Sequence, residues 1–305
     1  MKRNFWQHGF ALACLATLSA CGGGGGGGMG EMKVSITDAP VDNAKEVVIT
    51  ISGIDVKPKG DGPAIKFPLA VPLRRNLLEF TDGVAFVALP PVDLPAGEYE
   101  WLRLNIIDTT LDDAHVLLND ESVHSLKVPS DTLRLIRGFT VPEDGIVSLI
   151  VDFDLRKSLV ERSGGYNFKP VLRVVDEDRA GLISGTVANS LVTAADCPAA
   201  LPTATDSAGR VVYVYAGSNA IPDDIDTTDP QPVVSSFVRP DGAGGYRYTV
   251  AYLPVGDYTV AFTCHGDSDN PETDDPTVVF SAQGNATVTA DGNTPLNLPV
   301  PPPAP

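Results

Sequence analysis

Residues 94–99 read Leu94-Pro95-Ala96-Gly97-Glu98-Tyr99, and residues 253–258 return to the phrase as Leu253-Pro254-Val255-Gly256-Asp257-Tyr258. Pro and Gly set a turn, and the Tyr that follows opens a strand. That arrangement resembles the tyrosine corner of Greek-key sandwiches, in which the hydroxyl bonds back to nearby backbone; a common turn feeding an exposed Tyr is the alternative. The flanking sequence alternates with the period of two expected of strands buried on one face. Val47, Ile49 and Ile51 alternate with Val48, Thr50 and Ser52, and Leu102, Leu104 and Ile106 with Trp101, Arg103 and Asn105. Val147, Leu149, Val151, Phe153 and Leu155 form the longest such run, and Tyr258, Val260, Phe262 and Cys264 repeat the pattern later. Short strands punctuated by Gly, Pro, Asn and Asp predict an all-β chain of two tandem Greek-key, Ig-like sandwiches. Helix is expected only as a short piece near Asp112 or over Ser158 to Arg162.

Composition divides the chain the same way. The 305 residues carry 39 acidic and 22 basic side chains, a net charge of -17. Residues 31–180 hold 25 acidic and 17 basic side chains, residues 181–305 hold 14 and 3, and no Lys follows Lys169. The shift marks a boundary near 178–181, which predicts domains at 31–178 and 181–298. This acidity excludes nucleic acid as a partner, because phosphate binding requires clustered Lys and Arg.

The N-terminus is an address. Lys2 and Arg3 precede an apolar run from Phe10 to Leu18, broken only by Thr17. The run is too short to span a bilayer and has the length of a secretory core. It ends in Leu18-Ser19-Ala20-Cys21, which resembles the bacterial lipobox. The resemblance implies a signal peptide over 1–20, cleavage after Ala20, and acyl chains on Cys21 that partition into a membrane. Loss of the two basic signal residues leaves 20 basic against 39 acidic side chains, net -19. Seven glycines, Gly22 to Gly28, followed by Met29 and Gly30, predict a flexible tether over 21–30 with a mean reach of about 15–18 Å. Gly rather than Asp at position 22 is similar to the Gram-negative signal for the outer membrane.

Two further resemblances cover the rest. Val34-Ser35-Ile36-Thr37-Asp38-Ala39-Pro40, Gly53-Ile54-Asp55-Val56-Lys57-Pro58 and Tyr99-Glu100-Trp101-Leu102-Arg103-Leu104 are followed in order by three more phrases. These are Arg137-Gly138-Phe139-Thr140-Val141-Pro142, Asp152-Phe153-Asp154-Leu155-Arg156-Lys157-Ser158 and Lys169-Pro170-Val171-Leu172-Arg173. Together they resemble domain of unknown function 4382, a family of secreted and lipid-anchored bacterial proteins with no assigned activity. Ile183-Ser184-Gly185-Thr186-Val187, with Tyr246-Arg247-Tyr248 and the Leu253 to Val260 hairpin, resembles a carboxypeptidase-regulatory-like, transthyretin-like sandwich. Such modules serve as stalks or accessory domains.

Candidate chemistry is sparse. Once Cys14 is cleaved away and Cys21 lipidated, Cys197 and Cys264 remain, and export predicts a disulfide between them. Free thiols or a metal pair are the alternatives, with His265 the only neighbouring ligand. The acidic run 267–275 offers Asp267, Asp269, Asp274 and Asp275 as calcium ligands, since calcium takes six to eight oxygens. It is not an EF-hand, because Glu272 stands where the loop needs Gly; a solvated acidic loop is the plainer reading, as for Pro222 to Asp226. His115 and His124 read as exposed turn residues, and Asp152, Asp154, Arg156 and Lys157 as an exposed, mutually paired strand face. No GxSxG elbow, Walker loop or HExxH is present, so the chain reads as non-enzymatic. The expected role is a lipid-anchored envelope module for binding or adhesion, with a glycan or protein as ligand and Trp101, Tyr246 and Tyr248 as candidate contacts. An envelope stalk or assembly partner, and an accessory hydrolase of envelope polymer with paired Asp residues, are the alternatives. The Pro-rich end, 299–305, reads as a polyproline tail.

Overall fold

The computed structural model describes residues 28–39, 41–135, 137–169, 171–198, 209–226 and 228–299. Cys21, the first six glycines and nearly all of the Pro-rich tail lie outside them. The chain up to residue 179 forms β1 (Met29–Ala39), β2 (Ala44–Pro58), β3 (Ile65–Asn76), β4 (Phe86–Pro95), β5 (Gly97–Ile107), β6 (His115–Leu118), β7 (Val123–Lys127), β8 (Thr132–Leu135), β9 (Phe139–Val141), β10 (Ile146–Asp154), α1 (Leu155–Ser158), β11 (Leu159–Arg162), β12 (Gly165–Phe168) and β13 (Leu172–Asp176). The remainder forms β14 (Ala180–Val187), α2 (Asn189–Val192), β15 (Val211–Ala216), β16 (Val234–Phe237), β17 (Arg239–Pro240), β18 (Tyr246–Pro254), β19 (Gly256–Thr263), β20 (Ala282–Val288) and β21 (Asn293–Pro295).

Among the described residues four sheets result, and the all-β expectation holds. A four-stranded sheet in the order β13-β10-β1-β4 packs on a nine-stranded sheet built around β2 and β5. Met32, Val34, Ile36, Leu149, Val151 and Phe153 interdigitate there with Ile49, Ile51, Ile54, Leu102 and Leu104. Two further four-stranded sheets, β17-β18-β14-β21 and β16-β15-β19-β20, enclose a second core of Ile183, Val212, Val214, Val250, Val260 and Phe262. Burying one such aliphatic side chain contributes about 1.5–3 kcal/mol, so the alternating pattern is what sets register.

Several expectations are corrected. Met29 and Gly30 belong to β1, not to a tether: they pair with Pro95 and Leu94. Backbone approach is close enough there that a Cβ on Gly30 would overlap the Pro142 carbonyl oxygen. The helix expected over Ser158 to Arg162 is displaced to α1, because the Asp154 side chain caps it by accepting from the Lys157 amide at 3.2 Å. Leu159 to Arg162 then pair with β12 as a strand.

The expected exposed face of β10 is buried. Asp152, Asp154 and Arg156 are 5%, 9% and 5% exposed. The outer face of the β10 sheet (Ser35, Thr37, Ile150, Asp152, Val175) does not meet water, because the second half of the chain lies on it. Tyr252 packs on Ile150 and Val175, and its hydroxyl donates to the Gly83 carbonyl at 3.0 Å. Arg173 pairs with Asp152 and reaches the Ala251 carbonyl at 3.4 Å, while Arg239 pairs with Asp82 at 3.1 Å. The sequence pattern implies the cross-strand pairs but not the third layer over them, because burial by a distant segment leaves no periodic trace in β10.

Candidate functional site

The acidic loops form the most elaborate side-chain cluster. Alternation in β15 sends Val212 and Val214 to the inner core and Val211, Tyr213 and Tyr215 to the opposite face. A bare face of that kind would expose two tyrosines. The loops after β15 and β19 cover it, contributing Ile225, Val278 and Phe280. Each tyrosine hydroxyl is then tied to the cover: Tyr213 donates to the Asp269 carboxylate, and Tyr215 donates to the Asp223 carbonyl. The Asp224 carboxylate accepts from the Asp275 amide at 2.7 Å, joining the two loops. Buried hydroxyls and carboxylates of this kind require partners, and these are satisfied within the cover.

Asp224, Asp269 and Asp275 bring carboxylate oxygens within 4.8 Å of one another. Of the four aspartates singled out in the sequence, Asp269 and Asp275 join this group, whereas Asp267 and Asp274 are exposed and stand outside it. Asp224 comes from the other acidic run, and it was missed because nothing in either run says that the two meet. The plainer expectation of a solvated loop is corrected as well: Asp224 is 3% exposed, and burial pushes the Asp269 carboxyl up to about 6, with the Tyr213 hydrogen bond and Arg156 acting in the opposite sense. Three carboxylates supply three of the six to eight oxygens that calcium takes.

Arg156 connects this cluster to the first half of the chain. Its guanidinium donates to the Asp42 carboxylate and to the Gly266 carbonyl, and it lies 6.0 Å from the Tyr213 ring centroid. Burial opposes its charge, but Asp42, Tyr213 and Asp269 more than offset that and hold the guanidinium firmly protonated. An open cleft of about 370 Å³ lies beside it, lined by Val41, Tyr166, Asp267, Asn270 and Glu272 among others. A second open cleft, of about 640 Å³, runs between the halves past Arg137, Ile146, Val175, Arg179 and Val255.

The other residues singled out in the sequence are scattered. Cys197 and Cys264 are joined, with Cα atoms 5.4 Å apart. The Tyr99 hydroxyl donates to the Pro95 carbonyl and the Tyr258 hydroxyl to the Pro254 carbonyl, each at 2.8 Å. His115 is not an exposed turn residue: it is 8% exposed, with Nδ1 2.7 Å from the Leu111 carbonyl. His124 Nε2 lies 2.8 Å from Ser122 Oγ, which also bonds Asp120 within one tight turn. A nucleophile–base pair needs a third group orienting the base, and here the aspartate holds the serine instead. Of the candidate aromatic contacts, Tyr248 is buried with its hydroxyl on the Leu296 carbonyl, Tyr246 packs against the core, and Trp101 lies on the outer face of the nine-stranded sheet.

Comparison with known proteins places the first half. Residues 29–170 match the family model Domain of unknown function (DUF4382). The DUF4382 segment spans β1 to β12, while its sheet continues through β13 to Asp176. No curated protein matches the chain. Among solved structures, the Bacillus anthracis TIE protein is 14% identical over 88% of this chain and 33% of its own, with a TM-score of 0.19. The chain thus spans about a third of the length of that protein. A putative adhesin from Bacteroides ovatus ATCC 8483 is 9% identical over 90% of both chains, with a TM-score of 0.21. GBS52, the minor pilin of Streptococcus agalactiae, is 11% identical over 90% of this chain and 98% of its own, with a TM-score of 0.19.

Proposed function

We propose that the protein is a lipid-anchored, non-catalytic binding or adhesion module of the cell envelope, held at the outer membrane of a Gram-negative bacterium. The observation that carries this reading is the Leu18-Ser19-Ala20-Cys21 box behind Lys2, Arg3 and an apolar run, with a glycine spacer directly after the cysteine. Two acylation signals suffice for stable anchoring, and a lipidated cysteine of this kind carries more. The fold supports the reading in a second way. Arg156, Arg173, Arg239 and Tyr252 fasten the DUF4382 segment to the following sheets, so the spacer would present one coupled body. Residues 181–298 fit an accessory sandwich of the carboxypeptidase-regulatory-like kind, with β14 as the opening strand and β18–β19 as the closing hairpin.

Labelling of growing cells with a palmitate analogue tests the anchor. The wild-type chain takes the label and enters the detergent phase, its mature N-terminal peptide begins at Cys21, and Cys21→Ser is unlabelled and water-soluble. An unlabelled wild type, or label persisting on Cys21→Ser, would overturn it. Adhesion is read separately, by comparing retention on surface polymers of cells with and without the protein.

A further inference from the structure

The outer face of the nine-stranded sheet departs from the acidic character of the rest of the molecule. Lys66 stands opposite Asp55, Asp55 opposite Arg103, and Arg103 opposite Arg134, so four residues form one row across β3, β2, β5 and β8. At a strand spacing of about 4.8 Å the row is about 14 Å long. In the adjoining row Trp101 stands opposite Lys57. The Arg103 and Arg134 guanidinium carbons lie 5.3 and 4.8 Å from the Trp101 ring centroid, which pins both cations beside the indole.

The single acid of the row offsets one of these cations, Arg103, and leaves the charges of Lys66 and Arg134. Asp55 has a side chain 3% exposed; it accepts from Arg103 and, at 3.0 Å, from Asn105 Nδ2. It thereby fixes Arg103 from beneath. Lys66 and Arg134 are exposed, and neither makes an ion pair with a described carboxylate. Lys57 is held by the carbonyls of Pro58 and Gly60, which orient its charge without neutralising it. At the border, Glu98 is paired with Lys59, and Glu100 accepts from the Gly60 amide.

The geometry points to an acidic polysaccharide, a uronate-bearing chain, as the occupant of this face. Sugar rings present an apolar side that stacks on indole. Carboxylates along the chain match the planar fork of arginine and the point charge of lysine. Charge complementarity selects the occupant, since a cationic row in a chain of net charge -17 attracts an anionic polymer while the remaining surface repels it. A membrane fits less well, because Trp101 lies within a strand beside two guanidiniums, 5.3 and 4.8 Å from its ring centroid, and is not raised on an apolar loop. This inference rests on the reading of the protein as a binding module and names its ligand class.

The test uses the full chain purified in detergent and immobilised polygalacturonate as the probe, with fully methyl-esterified polygalacturonate as the uncharged control. The wild type is retained, retention falls as salt rises, and the esterified polymer retains nothing. Lys66→Glu combined with Arg134→Glu, both at exposed positions, lowers affinity at least about tenfold with unfolding unchanged, and Trp101→Ala does so at constant charge. No retention of the wild type, equal retention of the charge-reversed variant, or equal retention on the esterified polymer overturns the inference. So does binding to phosphatidylglycerol vesicles, in place of the polymer, that the Lys66→Glu and Arg134→Glu changes abolish, or self-association that accounts for the retention. A chain that is lipidated at Cys21 and ignores polygalacturonate sinks the ligand class alone, and an unlipidated chain that binds the polymer sinks the anchor alone.

Discussion

The two halves solve the same burial problem differently. The DUF4382 segment has no cysteine, and it closes its core by spreading a nine-stranded sheet over a four-stranded one. The second half has two four-stranded sheets, and one of them carries apolar residues on both faces. Its inner face makes the core, and its outer face needs a lid of acidic loop. A small domain buries a smaller share of its surface and needs staples more often than a large one. Here the staples are the Cys197–Cys264 bond and the hydroxyl-to-loop bonds of Tyr213 and Tyr215. The acidity that looks like a solubility feature in the sequence is in part structural.

Arg156 is where the two solutions meet, and its removal has the largest expected effect. Arg156→Met takes the guanidinium away from the Asp42 carboxylate, whose side chain is 6% exposed. Breaking such a pair costs about 3–5 kcal/mol, whereas replacing both partners is far milder. Urea unfolding of Arg156→Met, Asp42→Leu and the double variant checks this: the double variant recovers most of the loss. Equal losses in all three would mean that the halves are held elsewhere. The disulfide comes next. Its two cysteines are 67 residues apart in sequence, for which the chain-entropy model gives about 4 kcal/mol and practice about 2–4. Cys197→Ala with Cys264→Ala lowers the thermal midpoint of the second half and leaves hydrogen-exchange protection in the β1 and β10 strands unchanged. Loss of that protection would merge the two halves into a single cooperative unit.

Asp269 sharpens the comparison through pH. Its carboxyl sits at about 6 in the folded chain against an ordinary 3.8, chiefly from burial and despite Tyr213 and Arg156. The folded state therefore holds this proton more tightly than the unfolded state does. The stabilisation is fully present below about pH 3.8 and is lost as pH rises through about 6. The groups facing it are Tyr213, Arg156, the Ile225 amide and the carboxylates of Asp224 and Asp275. Burial also raises Asp82 and Asp152, which adds a slope of the same sign from the interface between the halves. The informative quantity is thus a difference. Unfolding free energy measured between pH 4 and pH 6 declines less steeply in Asp269→Asn than in the wild type. Parallel slopes would mean that Asp269 titrates normally and that the loop lid is open.

What was legible in the sequence follows from what leaves a local trace. Alternation in Leu102 to Ile106 and Tyr258 to Cys264 set strands and facing, and the Leu-Pro-x-Gly-acid-Tyr phrase set two turns. The same alternation misled at Asp152, Asp154 and Arg156, because period two says that a face is polar and not whether another layer covers it. Asp224 and Asp269, 45 positions apart in the chain, meet only through the pairing of β15 with β19. Trp101 is legible as a candidate contact, and alternation puts Arg103 on the same face, but Arg134 joins them through a pairing of β5 with β8 whose register no single strand encodes.

The smallest expected effect bears on the feature that the halves share. Both corner hydroxyls donate to a proline carbonyl four residues back at 2.8 Å, so each contributes about 1 kcal/mol. Tyr99→Phe and Tyr258→Phe should therefore cost nearly the same, and their losses should add in the double variant because the corners share no partner. The rings differ, however. Tyr99 stacks on Phe139 with centroids 4.9 Å apart and planes 9° from parallel. Such a pair is worth about 0.5–1.5 kcal/mol beyond area burial. Replacement by Leu should thus separate the corners where replacement by Phe does not, with Tyr99→Leu the costlier by about that margin. Unequal Phe variants would mean that one hydroxyl is hydrated in solution, and equal Leu variants would mean that the Phe139 stack contributes nothing to the corner.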